Sequence, residues 1–411
     1  MAISWDNLID VESHESAKNA PLHEKSALVG RLGLLMLSVG AGAWRVRAAM
    51  NKVSRAMDIV CNADIGLLSI EYTCVSGNET YTNAISINTI AVNTNKLHKL
   101  RSFANLFSEN AGRFSMKQFF DVLDDIEFLT KHYSAPKLAF AAAIACAAFT
   151  FLLGGGPIEM LCAFFGAGIG NFVRKKLLER HITLFANVAL GVASACFVYI
   201  ALMELAERLF GISEAHQAGY ICSMLFVIPG FPLITGGIDL AKLDIRSGFE
   251  RICYSLLIIF VATLTGWLCA FVFNYAPENF IEYQTSPLFM LLLRMAASFF
   301  AVYGFSLMFN STHKMAEFAG LIGMISNVFR LELLDFTSVP ISLAAFLASL
   351  VSGLLASAIK KYTGFPRLTI TVPSVVIMVP GMFMYKGIYF FALENFTEGA
   401  YWITKAAMVV C

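Results

Sequence analysis

The stretch that decides the fold is VIPGFPLITGGIDL, residues 227–240. It lies in an apolar run long enough for a membrane helix, yet it contains two prolines and three glycines. Proline in a helix interior removes a backbone donor, clashes with the preceding turn and costs about 3 kcal/mol. In a membrane, irregular backbone is tolerated only where it is buried in protein or lines a cavity. The stretch therefore predicts a broken helix inside a membrane protein.

Composition supports an α-helical polytopic membrane protein. The 411 residues are 57% hydrophobic and only 14% charged, whereas about 25% of residues are charged in an average soluble domain. No basic region followed by an apolar core opens the sequence, so we expect the N-terminus to stay in the cytoplasm. The nine cysteines lack metal-ligand spacing, so no metal or cofactor is predicted.

Before the spans, the sequence predicts a flexible tail (residues 1–25) and a small cytoplasmic α+β domain (residues 26–135). The domain combines helical periodicity with two β-rich runs joined by a turn at residues 76–79. The predicted helices cover residues 26–57, 96–111 and 115–132, and the predicted strands cover 65–75 and 80–92.

About ten spans come after this domain. Uncharged apolar stretches cover residues 138–158, 160–173, 182–203, 218–238, 252–276, 286–308 (interrupted by an arginine), 318–329, 336–359 and 368–385, and a tenth begins near residue 399. The stretches 160–173 and 318–329 are too short to cross a bilayer, so we expect them to be re-entrant or shielded by neighbours. With a cytoplasmic N-terminus, the inside loops carry 11 Lys and Arg residues against 3 outside, which places loop 277–285 outside.

The two halves of the membrane region repeat. Asn-x-x-Arg occurs at Asn171 and Asn327, and Pro-Gly occurs at Pro229 and Pro380, with offsets of 156 and 151 residues. Because each half has five spans, the second copy must insert upside down. We therefore predict two inverted repeats, residues 136–276 and 286–411. Paired interrupted spans in such repeats are typical of secondary transporters and indicate a substrate site near the midplane.

The predicted substrate site draws on both interruptions and on polar residues within or beside spans. Its members are Asn171, Pro229, Gly230, Phe231, Pro232, Thr235, Gly236, Asp239, Arg294, Asn327, Pro380, Gly381 and Lys386. Several have alternative roles. Arg294 could bind a carboxylate, pair with an acid such as Glu159, or extend to the membrane surface. Asp239 could bind an ammonium group, carry a proton, or cap the next helix. Lys386 could likewise lie at an interface, and the asparagines could join helices.

Other classes of protein find little support. GAGIG at residues 166–170 lies within a span rather than after a strand, so it does not predict a dinucleotide site. Motifs for nucleotide hydrolysis, metalloproteases and nucleic-acid binding do not occur. The acids Asp121, Asp124, Asp125 and Glu127 fit the solvated face of a helix better than an active site. We predict no enzyme, although a channel and a membrane enzyme using the soluble domain stay as alternatives. Homo-oligomerisation stays open, since residues 26–57 combine an apolar face with small residues.

The residues also resemble a known family. PGFPLI (229–234), followed by Asp239 and Gly248, resembles the signature of the threonine/serine exporter family, and GAGAWRVRAAMNKVSRAMDI (40–59) is similar to its N-terminal helix. The resemblance covers roughly residues 26–411 and matches the fused form of two-subunit members. It implies export of L-threonine, L-serine or related solutes across the inner membrane of a bacterial cell, driven by protons or potential, with C4-dicarboxylates as the alternative. Arg47 departs from the acidic residue of many relatives, and the tenth span is short here.

Overall fold

The computed structural model describes residues 5–10, 15–129, 133–211, 219–275 and 285–410, so the predicted outer loop lies almost wholly outside them. The chain forms two compact units. The N-terminal unit comprises residues 1–131 together with 231–253, and the helical unit comprises residues 132–230 together with 254–411. The chain is mostly helical, with one small sheet.

The N-terminal unit contains a three-stranded antiparallel sheet rather than the predicted two-stranded hairpin. Its elements are α1 (Leu22–Ser38), α2 (Ala43–Ala56), β1 (Val60–Ile65), β2 (Ser69–Ser76), β3 (Glu79–Ser86), α3 (Thr94–Asn110) and α4 (Met116–Glu127). The order is β1-β2-β3, with Ile65 opposite Ile70 and Ser76 opposite Glu79. Strand β1 was missed because its polar residues interrupt the apolar alternation. The unit also includes most of α9 (Gly230–Ala241) and the start of α10 (Ile245–Val272).

Helix α1 is packed against the sheet by small residues. Gly30 faces the ring of Tyr72, and the Tyr72 hydroxyl donates to the Ser26 carbonyl at 3.1 Å. Burial raises the pKa of Tyr72, so its hydroxyl stays a neutral donor. Gly33 lies against Met50 of α2 in the same way. The small residues of α1, which left homo-oligomerisation open in the sequence, therefore pack within this chain.

Part of the predicted acidic face of α4 is paired rather than purely solvated. Buried Arg31 contacts Asp124 and also Glu127, whose carboxylate lies 2.8 Å from the Arg31 guanidinium. Part of the predicted tail is packed too, since Ala17 is fully buried and donates its N–H to the Phe114 carbonyl at 2.9 Å. Local periodicity could not predict either contact, because the partners are distant in sequence.

The helical unit contains the remaining helices. They are α5 (Ala135–Leu152), α6 (Pro157–Glu179), α7 (Leu184–Phe210), α8 (Gly219–Ser223), α11 (Pro287–Met308), α12 (His313–Phe336), α13 (Ile341–Thr363), α14 (Arg367–Val376), α15 (Gly381–Ala392) and α16 (Phe396–Val410), with the end of α10. Among the described residues, five helices are long and apolar enough to cross a membrane, and seven spans result if each of two bent helix pairs is one span.

Helices α6 and α12 extend beyond the short uncharged stretches of the sequence, although neither is among the five candidate spans of the described residues. They contain the short uncharged stretches 160–173 and 318–329, but they are continuous helices of 23 and 24 residues. At 1.5 Å rise per residue, each is about 35 Å long. The sequence underestimated them because both helices continue through charged residues after the apolar stretch ends.

Candidate functional site at the interrupted helices

The first interruption lies between α8 and α9. After α8 the chain makes a single 3₁₀ turn at Leu225–Val227, and α9 begins at Gly230 with a bend of 64° between the two segments. The Gly230 N–H donates to the Ile228 carbonyl at 2.8 Å, which closes a three-residue turn around Pro229. Pro232 lies in the first turn of α9, where a missing N–H costs little. The broken helix predicted from VIPGFPLITGGIDL is confirmed.

The second interruption has the same backbone. Helices α14 and α15 meet at Pro380 with a bend of 48°. The Gly381 N–H donates to the Val379 carbonyl at 2.8 Å, and Pro380 has φ −80° and ψ 56°, the geometry of an inverse γ-turn. In each interruption the two residues before the proline also donate to carbonyls three residues earlier. All these hydrogen bonds correspond at the offset of 151 residues predicted from the sequence.

The two interruptions contact each other within the helical unit. A β-carbon on Gly230 would lie 3.0 Å from Val376, and one on Gly381 would lie 3.2 Å from Leu225 and would overlap Ile228. Val376 corresponds to Leu225 at the same offset of 151 residues, so the contacts are reciprocal. Reciprocal contacts are what a local two-fold axis produces. Glycine suits both positions because a side chain at either one would force the facing side chains to shift.

Asp239 lies at the end of α9 in a buried polar cluster of the N-terminal unit. It is fully buried and accepts hydrogen bonds from the Ala43 N–H at 3.0 Å and the Ser247 hydroxyl at 3.1 Å. Its carboxylate also pairs with Arg251 at 3.3 Å, and Arg251 donates to the Ala41 carbonyl at 2.7 Å. Asp239 Oδ1 is buried and has no hydrogen-bond partner among the described residues. Asp239 thus caps α2, a helix 196 residues earlier in the chain, whereas the capping alternative in the sequence analysis was for the next helix.

Around this cluster, ion pairs join the α9–α10 turn to α2 and the sheet. Arg47 pairs with Asp244 at 2.6 Å and donates to the Ala63 carbonyl at 3.0 Å. Arg246 pairs with Asp64. Arg47, which departs from the family pattern, therefore has an acidic partner in this chain. Sequence reasoning missed the roles of Ser247 and Arg251, although their spacing of four residues places both on one face of α10.

Other predicted residues in α9 are used within the protein. The Thr235 hydroxyl donates to the Phe231 carbonyl at 3.0 Å, one turn earlier in the same helix. Gly236 lies against the Gly248 carbonyl and allows α9 to pack closely on α10. Phe231 is buried next to Gly40. These side chains shape α9, while any contact with substrate stays a prediction.

The two asparagines have matching roles in the two halves. Asn171 of α6 donates to the Leu138 carbonyl of α5 at 2.9 Å, and Asn327 of α12 donates to the Ser298 hydroxyl of α11 at 2.9 Å. Each therefore joins the second helix of its half to the first. Within the described part of the chain, the carbonyl oxygen of each side chain is buried without a hydrogen-bond partner. The arrangement fits an interhelical role and leaves one acceptor on each side chain.

The arginine of the predicted site, Arg294, is held by acids of a neighbouring helix. It pairs with Glu332 at 2.9 Å and with Asp335 at 2.5 Å, both on α12. Glu159, the example of an acidic partner given in the sequence analysis, instead accepts the Gly156 N–H at the start of α6. Arg294 thus has the structural pairing that was one of its three alternatives, with acids of α12 as partners.

Lys386 lies on α15, in the second interrupted helix, over an aromatic ring. Its Nζ is 4.8 Å from the ring centroid of Trp402 on α16. Its counterpart at the offset of 151 residues is Thr235, which instead makes a neutral hydrogen bond within α9. The described residues contain no group of three His, Cys, Asp or Glu residues suited to a metal ion.

Comparison with known families matches nearly the whole chain. The threonine/serine exporter model ThrE matches residues 27–274, and a second model, "Threonine/Serine exporter, ThrE", matches residues 294–411. This chain belongs to the threonine/serine exporter family. Members of this family are multi-pass membrane transport proteins, and the two matched segments agree with the predicted fused form.

The curated relatives of this threonine/serine exporter family member match only part of its chain, at low identity. "Probable succinate transporter subunit YjjP" from Escherichia coli strain K12 is 28% identical over 133 residues, which is 32% of this chain and 50% of that protein. The protein of the same name from Klebsiella aerogenes is 29% identical over the same length. The chain therefore spans about half the length of the curated relatives it matches. No solved structure matches it.

Proposed function

We propose that this chain is a secondary transporter that exports small polar solutes, with L-threonine or L-serine as substrate. The observation that carries the proposal is the pair of interrupted helices with corresponding hydrogen bonds and reciprocal glycine contacts. The family match supports the same function. Interruptions of this kind expose backbone amides and carbonyls that can replace the hydration of a solute.

The inverted repeat is part of this proposal. Helices α5, α6 and α7 precede the first interruption, and α11, α12 and α13 precede the second. The reciprocal contacts between Gly230 and Val376 and between Gly381 and Leu225 support a two-fold axis between the interruptions. Alternating access then follows from rocking of one half against the other around this axis. The ten-span count and the cytoplasmic N-terminus belong to the same proposal.

A zwitterionic amino acid requires both donors and acceptors. Gly230 and Gly381 use their N–H groups to close the two turns, and Pro232 has no N–H. Other N–H groups in the first turns of α9 and α15 suit a carboxylate, while carbonyls that precede each interruption suit an ammonium group. Arg294 is the alternative carboxylate partner, but its pairing with Glu332 and Asp335 competes with that role. We assign substrate recognition to the backbone of the two interruptions and to the residues that shape it.

We assign proton coupling to Asp239. Its Oδ1 has no hydrogen-bond partner among the described residues, so protonation at this oxygen leaves the contacts of Oδ2 with Ala43 and Ser247 in place. Protonation also weakens the pairing with Arg251. A proton at Asp239 would therefore loosen α9 from α10 while keeping its contact with α2, which suits a step in a transport cycle.

The deciding experiment is counterflow in proteoliposomes. Purified full-length chain is reconstituted with a high internal concentration of unlabelled threonine, and labelled threonine is added outside. A carrier should accumulate label transiently above its external concentration, and an outside-acid or inside-negative gradient should drive net export in exchange for incoming protons. Simple equilibration without overshoot would support a channel instead, and no movement of threonine or serine would reject the substrate assignment.

A second candidate is export of a C4-dicarboxylate. It is favoured by the similarity to the Escherichia coli relative named as a probable succinate transporter subunit. A dicarboxylate needs two cationic or amide-rich contacts, and Lys386 provides one cation beside the second interruption. Lys386→Gln should abolish succinate counterflow yet leave threonine counterflow largely intact. Loss of both, at normal membrane expression, would indicate a role of Lys386 in the fold rather than in dicarboxylate recognition.

Membrane orientation is tested separately. A single reactive cysteine at Asn279 should be labelled from outside by a membrane-impermeant maleimide, whereas one at Ser13 should not. The basis is the 11 to 3 distribution of basic residues between inside and outside loops. The opposite labelling pattern would invert the proposed orientation.

A further inference from the structure

A groove runs along α5 and α11 within the helical unit. Near the start of α5 it is a cavity of about 470 Å³ beside α12, and farther along α5 it is a cavity of about 480 Å³ beside α6. Ile144 lines both cavities, and the ring of Phe140 in the first lies 5.9 Å from the ring of Phe164 in the second. The two cavities are therefore neighbouring segments of one groove, which we call the α5–α11 groove.

Each of the two helices contributes one continuous face to the groove. The face of α5 consists of Lys137, Phe140, Ile144, Ala148 and Phe151, and α11 contributes residues between Phe289 and Leu307. Successive members are three or four residues apart, which is the spacing of one helix face. From Lys137 to Phe151 the helix rises about 21 Å, whereas one leaflet supplies roughly 15 Å of a hydrocarbon core of about 30 Å. The groove is long enough for an acyl chain of one leaflet.

The middle of the groove is apolar and open to the membrane. Both α5 and α11 are candidate spans, and the side chains of Phe140, Phe289 and Phe300 along the groove are exposed on the protein surface. In a bilayer such a surface is covered by acyl chains. Because lipid tails are as apolar as leucine, this contact alone does not favour one lipid over another. Selection of a lipid therefore depends on the polar end of the groove.

The end of the groove near the start of α5 is basic. Lys137 lines it, is exposed, and makes no ion pair or hydrogen bond within the described part of the chain. His313, the first residue of α12, lines the same end, and the exposed Lys314 is next to it in the chain. The acid Glu317 lies one turn farther along α12, and no ion pair joins it to these bases among the described residues. This end therefore suits an anion.

Two tyrosines hold His313 at the basic end. Its ring centroid lies 5.6 Å from that of Tyr133 and 6.4 Å from that of Tyr303, and its Nδ1 lies 2.8 Å from the Tyr303 hydroxyl. The Tyr133 hydroxyl donates to the Ser311 carbonyl at 2.8 Å, just before α12 begins. When the Tyr303 hydroxyl donates to Nδ1, the imidazole N–H lies on Nε2 and can donate to a ligand. Two helices thus supply an ammonium group and an imidazole.

We propose that the α5–α11 groove binds an anionic phospholipid, with an acyl chain along α5 and the phosphate between Lys137 and His313. Basic pockets between membrane helices are typical sites for anionic lipid headgroups. The proposal rests on the length of the groove, its apolar walls and its basic end, and it does not depend on the transport function. Because α5 and α11 are the first helices of the two proposed halves, this lipid would contact both halves at once.

The test is lipid binding to the full-length chain, measured by native mass spectrometry. Delipidated protein in detergent is titrated with phosphatidylglycerol, or with phosphatidylcholine that has the same acyl chains. The wild type should bind phosphatidylglycerol more tightly. Lys137→Gln should weaken that binding about fivefold, the effect of one basic residue near a lipid headgroup, and should leave phosphatidylcholine binding unchanged. Lys361→Gln is the matched control, since Lys361 is exposed at the end of the candidate span α13 and does not line the groove.

A second variant tests the apolar part of the groove. Ala296 of α11 lines this part and is exposed, so Ala296→Trp should fill the groove without crowding the interior of the protein. Binding of both lipids should then weaken to a similar extent, because their acyl chains are the same. Ala201→Trp is the matched control, since Ala201 is exposed on the candidate span α7 and lies outside the groove.

The outcomes decide the occupant of the groove. A preference for phosphatidylglycerol that falls in Lys137→Gln, together with weaker binding of both lipids in Ala296→Trp and unchanged controls, supports the proposal. Equal binding of the two lipids by the wild type overturns it, as does a preference that survives Lys137→Gln combined with His313→Gln. Loss of a dimer in Ala296→Trp with unchanged lipid binding also overturns it and assigns the groove to a second copy of the chain. The Tm of each variant should match the wild type, because the substituted side chains are exposed.

Discussion

The first and second interrupted helices share one backbone but differ in the side chains that come after the break. Both turn at a Pro-Gly pair with an N–H to carbonyl hydrogen bond of 2.8 Å. After the first, α9 ends in a fully buried carboxylate, Asp239, paired with Arg251. After the second, α15 presents Lys386 to the ring of Trp402. Equivalent scaffolds therefore carry opposite charges.

This difference teaches how a repeated scaffold can serve an asymmetric solute. The close contact of the two turns favours glycine at residues 230 and 381, so the two helices are alike where the turns meet. One and two helical turns after these glycines, the side chains of the two helices can differ from each other. The first interrupted helix is held by α2, through the Asp239 cap, while the second is held by α16 through cation–aromatic contacts. The first helix is expected to be the stiffer of the two.

The largest effect should come from breaking the buried ion pair. Arg251→Leu leaves the Asp239 carboxylate buried without its cation, and loss of one member of such a pair costs about 3–5 kcal/mol. Thermal unfolding in detergent should report this loss as a much lower Tm. Lys386→Gln, the matched removal of a cation from the second helix, should change Tm little. Equal shifts in the two variants would contradict the difference between the helices.

A double variant isolates the pair itself. Arg251→Leu combined with Asp239→Asn should recover part of the stability, because no uncompensated charge is then buried. The coupling free energy from the four Tm values should be favourable. Strict additivity would mean that Arg251 acts through packing and its bond to the Ala41 carbonyl rather than through Asp239.

The next largest effect should come from crowding the contact between the two Pro-Gly turns. Gly381→Val should clash with Ile228 and Leu225, and Gly230→Val should clash with Val376. Overpacking of this kind costs about 1–3 kcal/mol, and both variants should lose threonine counterflow. Gly237→Ala is the control, because nothing lies within 4 Å of a β-carbon at that position. Normal counterflow in either valine variant would argue against direct packing of the turns.

A moderate effect is expected on the coupling of solute export to the proton gradient. Asp239→Asn keeps an acceptor for the Ala43 N–H but cannot exchange a proton. Proton-driven export should fall by about tenfold, or about 1.4 kcal/mol, while counterflow without a gradient should persist. The measurement compares both rates in the same proteoliposomes. Full gradient-driven export in this variant would remove Asp239 from the coupling mechanism.

The smallest effect should come from the exposed ion pairs around the first helix. Arg246 pairs with Asp64, and the two side chains are 45% and 56% exposed. Such pairs contribute about 0–1 kcal/mol because water and salt screen them. Arg246→Gln should therefore shift Tm by a degree or so at most, about the lower end of that range. A shift as large as that of Arg251→Leu would make these surface pairs the main anchor of α9.

Sequence predicted the elements whose signals are local. The broken helix at Pro229-Gly230 and its counterpart at Pro380-Gly381 are confirmed, because proline and glycine alter the backbone at their own positions. The ends of α6 and α12 could not be predicted, since hydropathy marks the apolar part of a helix and not its ends. Strand β1 was missed because its alternation of apolar and polar residues is weak, and its pairing with β2 is what stabilises it.

The sequence by itself determined that the chain is a polytopic membrane protein with two corresponding helix breaks, because hydropathy and Pro-Gly turns act within a few residues. Only the tertiary structure decided which side chains meet. It placed Asp239 on the Ala43 N–H across 196 residues and Arg294 on Glu332 rather than Glu159. It also brought Lys405 to the ring that faces Lys386. Buried charges take whichever partner the packed helices bring within hydrogen-bond distance, and that distance is a property of the fold.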